Sequence, residues 1–424
     1  MDNSRGPHPT LRIKGSKSHS LLGKKIVLAV TGSIASIKTV ELARELIRYG
    51  ADVYAVMSPA AMEIIHPYTL HYATGHEVIT KLMGKIEHVE FLGMEGSADL
   101  FLVAPCTANT LGKIACAIGD TAVTTFAITA FGSNIPILLV PSMHETMYNH
   151  PVLKEHVEKL RDLGVTIVGP RFEEGKAKFA EIKDIVLAVE HTLSEKSLAG
   201  KRVLITSGAT AESIDPIRII TNRSSGKTGV ELAKECFRQG ADVTIIHNNV
   251  LDVIGINEIQ VESAAEMTEA CLKELEKGYD ILISAAAITD YTCEPSSMKI
   301  PSRCEELSII LKPTAKLIDE VRSKFQDLFI VGFKAETNVT VEELIDRAKQ
   351  KMKESRIEMI VANDVGKVGM GTDDNEVRII SSGRVKYAKG PKKVIAEAIV
   401  KELSRVLEKE AARGNARRGD GGTT

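Results

Sequence analysis

The sequence predicts an α/β protein made of two doubly wound, mainly parallel-sheet domains of the Rossmann-like kind. Three observations carry this. The stretch VELARELIRYGADV (40–53) recurs as VELAKECFRQGADV (230–243), offset by 190 residues, with ten of fourteen positions identical. Each copy lies between two β-rich runs, KIVLAVTG and DVYAVMS in the first case, RVLITSG and DVTIIHN in the second. Each copy also has helical periodicity: Leu42, Ala43, Leu46 and Ile47 share one face, as do Leu232, Ala233, Cys236 and Phe237. Gly50 and Gly240 follow where a C-terminal helix cap belongs. Strand–helix–strand units in series pack as parallel sheets covered by helices.

Bulk properties narrow the function. A chain of 424 residues can bury the cores of two or three domains. A net charge of −2 gives no electrostatic support for nucleic-acid binding. Six cysteines (Cys106, Cys116, Cys236, Cys271, Cys293, Cys304) form no CxxC pair, which argues against a zinc or disulfide framework and fits a reducing cytosol. No apolar run reaches the roughly 18 residues of a membrane span. The expectation is a cytoplasmic protein without a membrane partner.

Taken in order, residues 1–22 are polar and read as a disordered tail, and the first domain is expected over 23–194. TGSIASIK (31–38) joins a strand to a helix. Its Ser33 and Ser36 either bind a phosphate beside free N–H groups or simply cap the helix. VMSPAA (56–61) puts Ser58 at the end of the next strand. ADLFLVAPCTANTLGKIACAIGDTAVTT (98–125) reads as a buried strand, a small-residue loop open to a flat ligand, and a helix. IPILLVPSMHETMYNHP (135–151) repeats the strand-then-polar-loop pattern. The polar link TLSEKSLAGKR (192–202) separates the halves. A second domain is expected over 200–408 and a disordered tail over 409–424.

In the second half the repeated helix starts about fourteen residues later after its strand. The insert lies past a strand's carboxyl end, where open parallel sheets bind ligands. It ends in TNRSSGKTG (221–229), whose SGKT resembles the end of a P-loop. A P-loop needs glycine five positions before Gly226, and Thr221 stands there. Asn, Ser and Gly before a helix still suit an anion. TGSIAS has one glycine where a dinucleotide fingerprint has three, which disfavours an NAD dehydrogenase.

Several stretches now resemble known families. APCTANT and PSMHETMY in the first half, with EHVEF before them, are similar to motifs of the flavin-containing phosphopantothenoylcysteine decarboxylases. DPIRIITNRSSGKTG, SAAAITDY, MKIPS, VGFKAET and VANDV follow the order found in phosphopantothenoylcysteine synthetases. Over roughly residues 24–405 the chain therefore resembles the fused enzymes of coenzyme A biosynthesis. The resemblance implies a flavodoxin-like flavoprotein domain followed by a synthetase domain.

For the first domain it implies FMN held by Gly32, Ser33, Ser58, Thr107 and Thr110, His88 as catalytic base, and substrate contacts from Asn109, Met143 and His144. His144 replaces the family's asparagine, and the lid region GPRFEEGKAKFAEIKDI (169–185) lacks the family's proton-donating cysteine. Lys176, Lys178 or His144 could supply that proton, while Cys106 reads as packing. For the second domain the resemblance implies Asn222 and Lys299 as catalytic residues and Arg218 as a substrate contact. Nucleotide contacts are expected from Ser224, Ser225, Gly226, Ala285, Ala286, Asp290, Lys299 and Phe333, with Lys312 and Asn363 as weaker candidates. Lys227 reads as a solvent-facing charge. CTP and Mg2+, 4′-phosphopantothenate and cysteine, and a homo-oligomer, a dodecamer if both family contacts form, complete the implied set. The alternative is a ligase with an impaired flavin-binding half; a purely regulatory flavin-binding protein fits less well.

Overall fold

The computed structural model describes residues 8–249, 251, 253–301, 306–366 and 372–419, with side chains described up to residue 412. The chain divides into two compact units, Met1–Ser194 and Glu195–Thr424. No helix among the described residues is long and apolar enough to cross a membrane.

The described residues of the first unit form eight strands: β1 (Lys25–Val30), β2 (Asp52–Met57), β3 (Leu100–Cys106), β4 (Ile137–Pro141), β5 (Met143–His144), β6 (Thr166–Ile167), β7 (Arg171–Glu173) and β8 (Lys176–Lys178). Five of them form a parallel sheet in the order β2-β1-β3-β4-β6, which is the flavodoxin-like order. All seven residues of β3 are buried, as a central strand covered on both faces requires. β5, β8 and β7 form a small antiparallel sheet.

The described residues of the second unit form twelve: β9 (Arg202–Thr206), β10 (Ala211–Ser213), β11 (Ile219–Thr221), β12 (Asp242–His247), β13 (Asn257–Gln260), β14 (Ile281–Ser284), β15 (Tyr291–Thr292), β16 (Lys312–Pro313), β17 (Phe329–Glu336), β18 (Met359–Asp364), β19 (Asp374–Ser381) and β20 (Arg384–Pro391). Its main sheet runs β13-β12-β9-β14-β17-β18-β19-β20. The first six strands are parallel in the Rossmann order, and β19 and β20 extend the sheet antiparallel. The hairpin β10–β11 occupies the insert noted in the sequence.

The repeat folds as the same unit twice. Helices Thr39–Arg48 and Lys227–Arg238 bury Leu42, Ala43, Leu46 and Ile47, and Leu232, Ala233 and Cys236. Burying one such leucine fully contributes about 1.5–3 kcal/mol. Gly50 and Gly240 take φ values of 106° and 88°, the left-handed region in which glycine ends a helix without strain.

Two boundary expectations are corrected. The segment before residue 23 is ordered from residue 8: Pro9–Ile13 forms a 3-10 helix, and Leu21 is fully buried. It is anchored by Thr10 donating to the Tyr72 carbonyl (2.9 Å), by the Lys14–Asp52 ion pair (2.7 Å), and by Leu21 N–H to the Tyr49 carbonyl (2.9 Å). Polar composition hid one apolar anchor. At the other end the helix Lys392–Gly419 runs well into the segment read as a tail, which leaves only 420–424 outside the described residues. In the link, Leu198 is buried and its N–H bonds the Gln239 carbonyl (2.8 Å), so it belongs to the second unit's core. Cys304 lies outside the described residues; the other five cysteines are free thiols.

Candidate active sites

Doubly wound sheets bind ligands outside the carboxyl ends of their strands, where the strand order reverses. In the first unit that point lies between β1 and β3. A pocket of about 540 Å3 opens there, within the usual range for cofactor sites. It gathers Gly32, Ser33, Ser58, Thr107, Asn109, Thr110 and Met143, seven of the residues the sequence singled out. Its walls are built by helix caps. Ser33 accepts from Ala35 N–H (3.3 Å), Ser58 from Ala61 N–H (3.3 Å) and Thr107 from Thr110 N–H (3.3 Å). Each of these three hydroxyls caps a helical turn and lines the pocket. Thr31 locks the floor, donating to the Pro105 carbonyl (2.7 Å) and accepting from Thr107 N–H (3.1 Å).

The sequence reading missed Ser142, Lys113, Thr121 and Thr124, which also line this pocket. Ser142 lies 3.1 Å from the Ser33 hydroxyl, and its place just past β4 was the available signal. Thr121 and Thr124 form a reciprocal capping box at the start of the helix Ala122–Gly132. His88 and His144 do not line the pocket. His88 lies on the short helix Glu87–Leu92, with its ring centroid 6.3 Å from that of Phe126 in the helix that Thr121 starts. Its Nδ1 is buried without a hydrogen-bond partner. His144 is exposed on β5, its Nδ1 3.3 Å from the Thr146 hydroxyl.

β5 pairs with the hairpin β7–β8, which sets His144 opposite Lys176. Lys178 is ion-paired to Glu174 (2.9 Å) and Glu173 (3.0 Å), and these bonds raise its pKa. Cys106 is fully buried, and burial pushes its thiol pKa upward, consistent with a packing role.

In the second unit the order reverses between β9 and β14. Past these strand ends Ala209 bridges Ala287, and Asn222 Nδ2 donates to the Ala287 carbonyl (2.8 Å). Ala285 is anchored by its N–H to the Thr206 carbonyl (3.1 Å). Gly226 takes φ +71°, and a side chain there would put Cβ 2.8 Å from Asn249 Nδ2, so two constraints demand glycine. Its carbonyl accepts from the buried Ser207 hydroxyl (3.0 Å), and its N–H approaches Ser224 Oγ (3.4 Å). The loop ends at the helix Lys227–Arg238, where no side chain caps the first turn.

Arg218, expected from the sequence as a substrate contact, is held within the loop. Its guanidinium pairs with the buried Asp215 and donates to the Ile300 carbonyl (3.1 Å). Asp215 also accepts from Ile217 N–H (2.8 Å), Arg218 N–H (2.9 Å) and Ile300 N–H (3.1 Å). Burial opposes its ionisation, but these donors together hold the carboxyl down at about 2. This clamp fixes the loop that carries the exposed Lys299. Asp290 is ion-paired to Lys316, and Lys312 to Glu294 (2.6 Å). Phe333 is half-buried on β17, and Asn363 on β18 donates to Asn375 (3.4 Å). Among the described residues no cluster of three or more His, Cys, Asp or Glu could hold a metal ion.

A flavodoxin-ordered sheet with a hydroxyl-lined pocket, followed by a Rossmann-ordered sheet with a glycine-bearing loop at a helix start, has the architecture of a two-domain flavoprotein. Comparison with known proteins makes this specific. Residues 14–194 match the family model "Flavoprotein", and residues 198–407 match "DNA/pantothenate metabolism flavoprotein C-terminal domain". The coenzyme A biosynthesis bifunctional protein CoaBC of Thermococcus kodakarensis is 48% identical over 405 residues, covering 94% of this chain and 100% of that protein. The protein of that name from Methanocaldococcus jannaschii is 42% identical, covering 95% of this chain and 98% of its own. A crystal structure of the C-terminal domain of a CoaBC protein is 30% identical with a TM-score of 0.42, covering 51% of this chain and 100% of that one. The chain belongs to the family of coenzyme A biosynthesis bifunctional proteins.

Proposed function

We propose that the chain ligates cysteine to 4′-phosphopantothenate through an acyl-cytidylate made from CTP, then decarboxylates the product to 4′-phosphopantetheine with FMN. One observation supports this reading: both halves of a bifunctional relative are present end to end, and seven of the residues expected in the first half line one pocket.

The first pocket fits FMN in size and donor set. Ser33, Ser58 and Ser142 supply hydroxyls for a phosphate, and Thr107, Asn109 and Thr110 line the wall for a flat ring. When bound, FMN supplies the electron acceptor that oxidises the substrate thiol and the hydride that restores it, so the reaction loses CO2 without net oxidation. His88 accepts the thiol proton, for which its unbonded buried nitrogen is suited. Asn109 and His144 bind the carboxylate that leaves. Of the candidate acids, Lys178 on the β7–β8 hairpin is ion-paired to two carboxylates, which leaves Lys176 and His144, paired across β5 and β8.

In the second half Asn222 orients the acyl-nucleotide and Lys299 neutralises charge as the amide forms. Ser224, Ser225 and Gly226 receive phosphate oxygens, Ala285 and Ala286 leave room for the base, and Asp290 recognises it. Mg2+ arrives with the triphosphate, its customary mode of binding. The exposed Ile34, Tyr68, Tyr72 and Met94 of the first unit, and Ile217, Ile219 and Ile310 of the second, suit burial in a homo-oligomer. The reading places the enzyme in the cytoplasm.

The test is to incubate purified protein with 4′-phosphopantothenate, cysteine, CTP and Mg2+ and weigh the products. 4′-Phosphopantetheine is expected. Accumulated phosphopantothenoylcysteine would mean a ligase alone, and no product with CTP or ATP would overturn the reading.

A further inference from the structure

A second pocket, of about 460 Å3, opens in the second unit beside Ser225 and Asn249. One wall is a single face of the helix Lys227–Arg238, with Lys227, Val230, Glu231 and Lys234 at helical spacing. The facing wall is the start of the helix Lys392–Gly419, with Lys392, Lys393 and the neighbouring Asp373. Two helix N-termini thus border one pocket, and the first carries no side-chain cap.

Lys392 is the unexplained member. It is only 6% exposed, yet its ammonium makes no hydrogen bond or ion pair among the described residues. Its neighbours are already engaged: Lys227 with Asp373 (2.5 Å), Lys234 with Glu231 (2.7 Å). Burial lowers its pKa, Lys227 lowers it further, and Asp373 works the other way. The stem of Lys392 is buried, while its ammonium, with Asp373 nearby but bonded to nothing among the described residues, is left to the pocket. Lys227, Lys234 and Lys393 each have a partner, which leaves Lys392 as the pocket's uncommitted lysine.

We propose that this pocket binds a phosphoryl group of a ligase substrate, with Lys392 as its buried cation. Only the choice of ligand rests on the function proposed above. Two substrates carry suitable chemistry, the triphosphate of CTP and the phosphomonoester of 4′-phosphopantothenate. Lys227, read from the sequence as a solvent-facing charge, becomes the lip of the site.

The test uses the full-length protein, wild type and Lys392→Met, which keeps the apolar stem. Inorganic pyrophosphate and inorganic phosphate are used as probes in thermal unfolding, CTP and 4′-phosphopantothenate in calorimetric titration. At least one of the two probes should raise the wild-type Tm without raising that of K392M. K392M should weaken CTP or 4′-phosphopantothenate, whichever occupies the site, by about tenfold or more, and leave the other unchanged. Unaltered affinity for both ligands would remove the site. Should K392M not fold, Lys227→Met on the exposed lip decides: weaker binding of one ligand supports the site, and wild-type binding of both overturns it. Turnover by the wild type checks the function separately, so an active enzyme with indifferent variants loses the pocket and keeps the function.

Discussion

His88 shows how little a residue's own surroundings say about its task. It is a half-buried imidazole with one nitrogen unsatisfied, next to a helix whose first turn lines the pocket proposed for FMN. Replacing it with Asn should cut CO2 release by at least about 100-fold, the usual scale for a lost general base, while ligation continues. A decarboxylase that survives H88N would move the base elsewhere. Asn222 is the counterpart in the ligase half. Asn222→Asp adds a negative charge where the proposed acyl-nucleotide would sit, so amide formation should fall by about 100-fold or more with little loss of decarboxylation of supplied phosphopantothenoylcysteine. Normal ligation by N222D would refute the role.

Among the elements, the hairpin β10–β11 and its Asp215–Arg218 clamp are the most consequential, because they tether the Lys299 loop. The Asp215 carboxyl sits at about 2, below the ordinary carboxylate value of 3.8. A depressed pKa stabilises the fold fully above the unfolded value and loses that contribution as pH falls through the folded one. Stability should therefore decline between about pH 4 and about pH 2, and Asp215→Asn should flatten that decline in urea titrations across the window. An unchanged profile would show that the clamp is not formed in solution. The β7–β8 hairpin makes a sharper contrast. Lys178→Met should leave decarboxylation within about twofold, since its charge is spent on Glu173 and Glu174, whereas Lys176→Met should slow it by about tenfold or more. Equal effects would mean that neither amine delivers the proton and would leave His144.

At the scale of the molecule, the two units each have a core of their own, one around Phe101, Phe126 and Leu139 and the other around Leu204, Leu282 and Ile330. Two thermal transitions are expected. Ligand at about 100 times its Kd stabilises the unit that binds it by about 2.7 kcal/mol, so FMN should raise one transition and CTP the other. A single transition moved by both would show that the units melt together.

The sequence by itself determined the class of fold, the place where the halves divide and seven of the fifteen residues that line the first pocket. These are local matters: hydrophobic period, a repeated helix ending in Gly50 or Gly240, and hydroxyls at strand ends, where a parallel sheet leaves N–H groups open. The motifs that named the family are local too. Only the tertiary structure decided what depends on residues far apart in the chain. It put Leu21 into the core, fastened Arg218 to Asp215, and brought Lys392 beside Lys227 across 165 positions of sequence. Burial and ion pairing are properties of neighbours in space, and a lysine in a string of residues carries no sign of which neighbours it will meet.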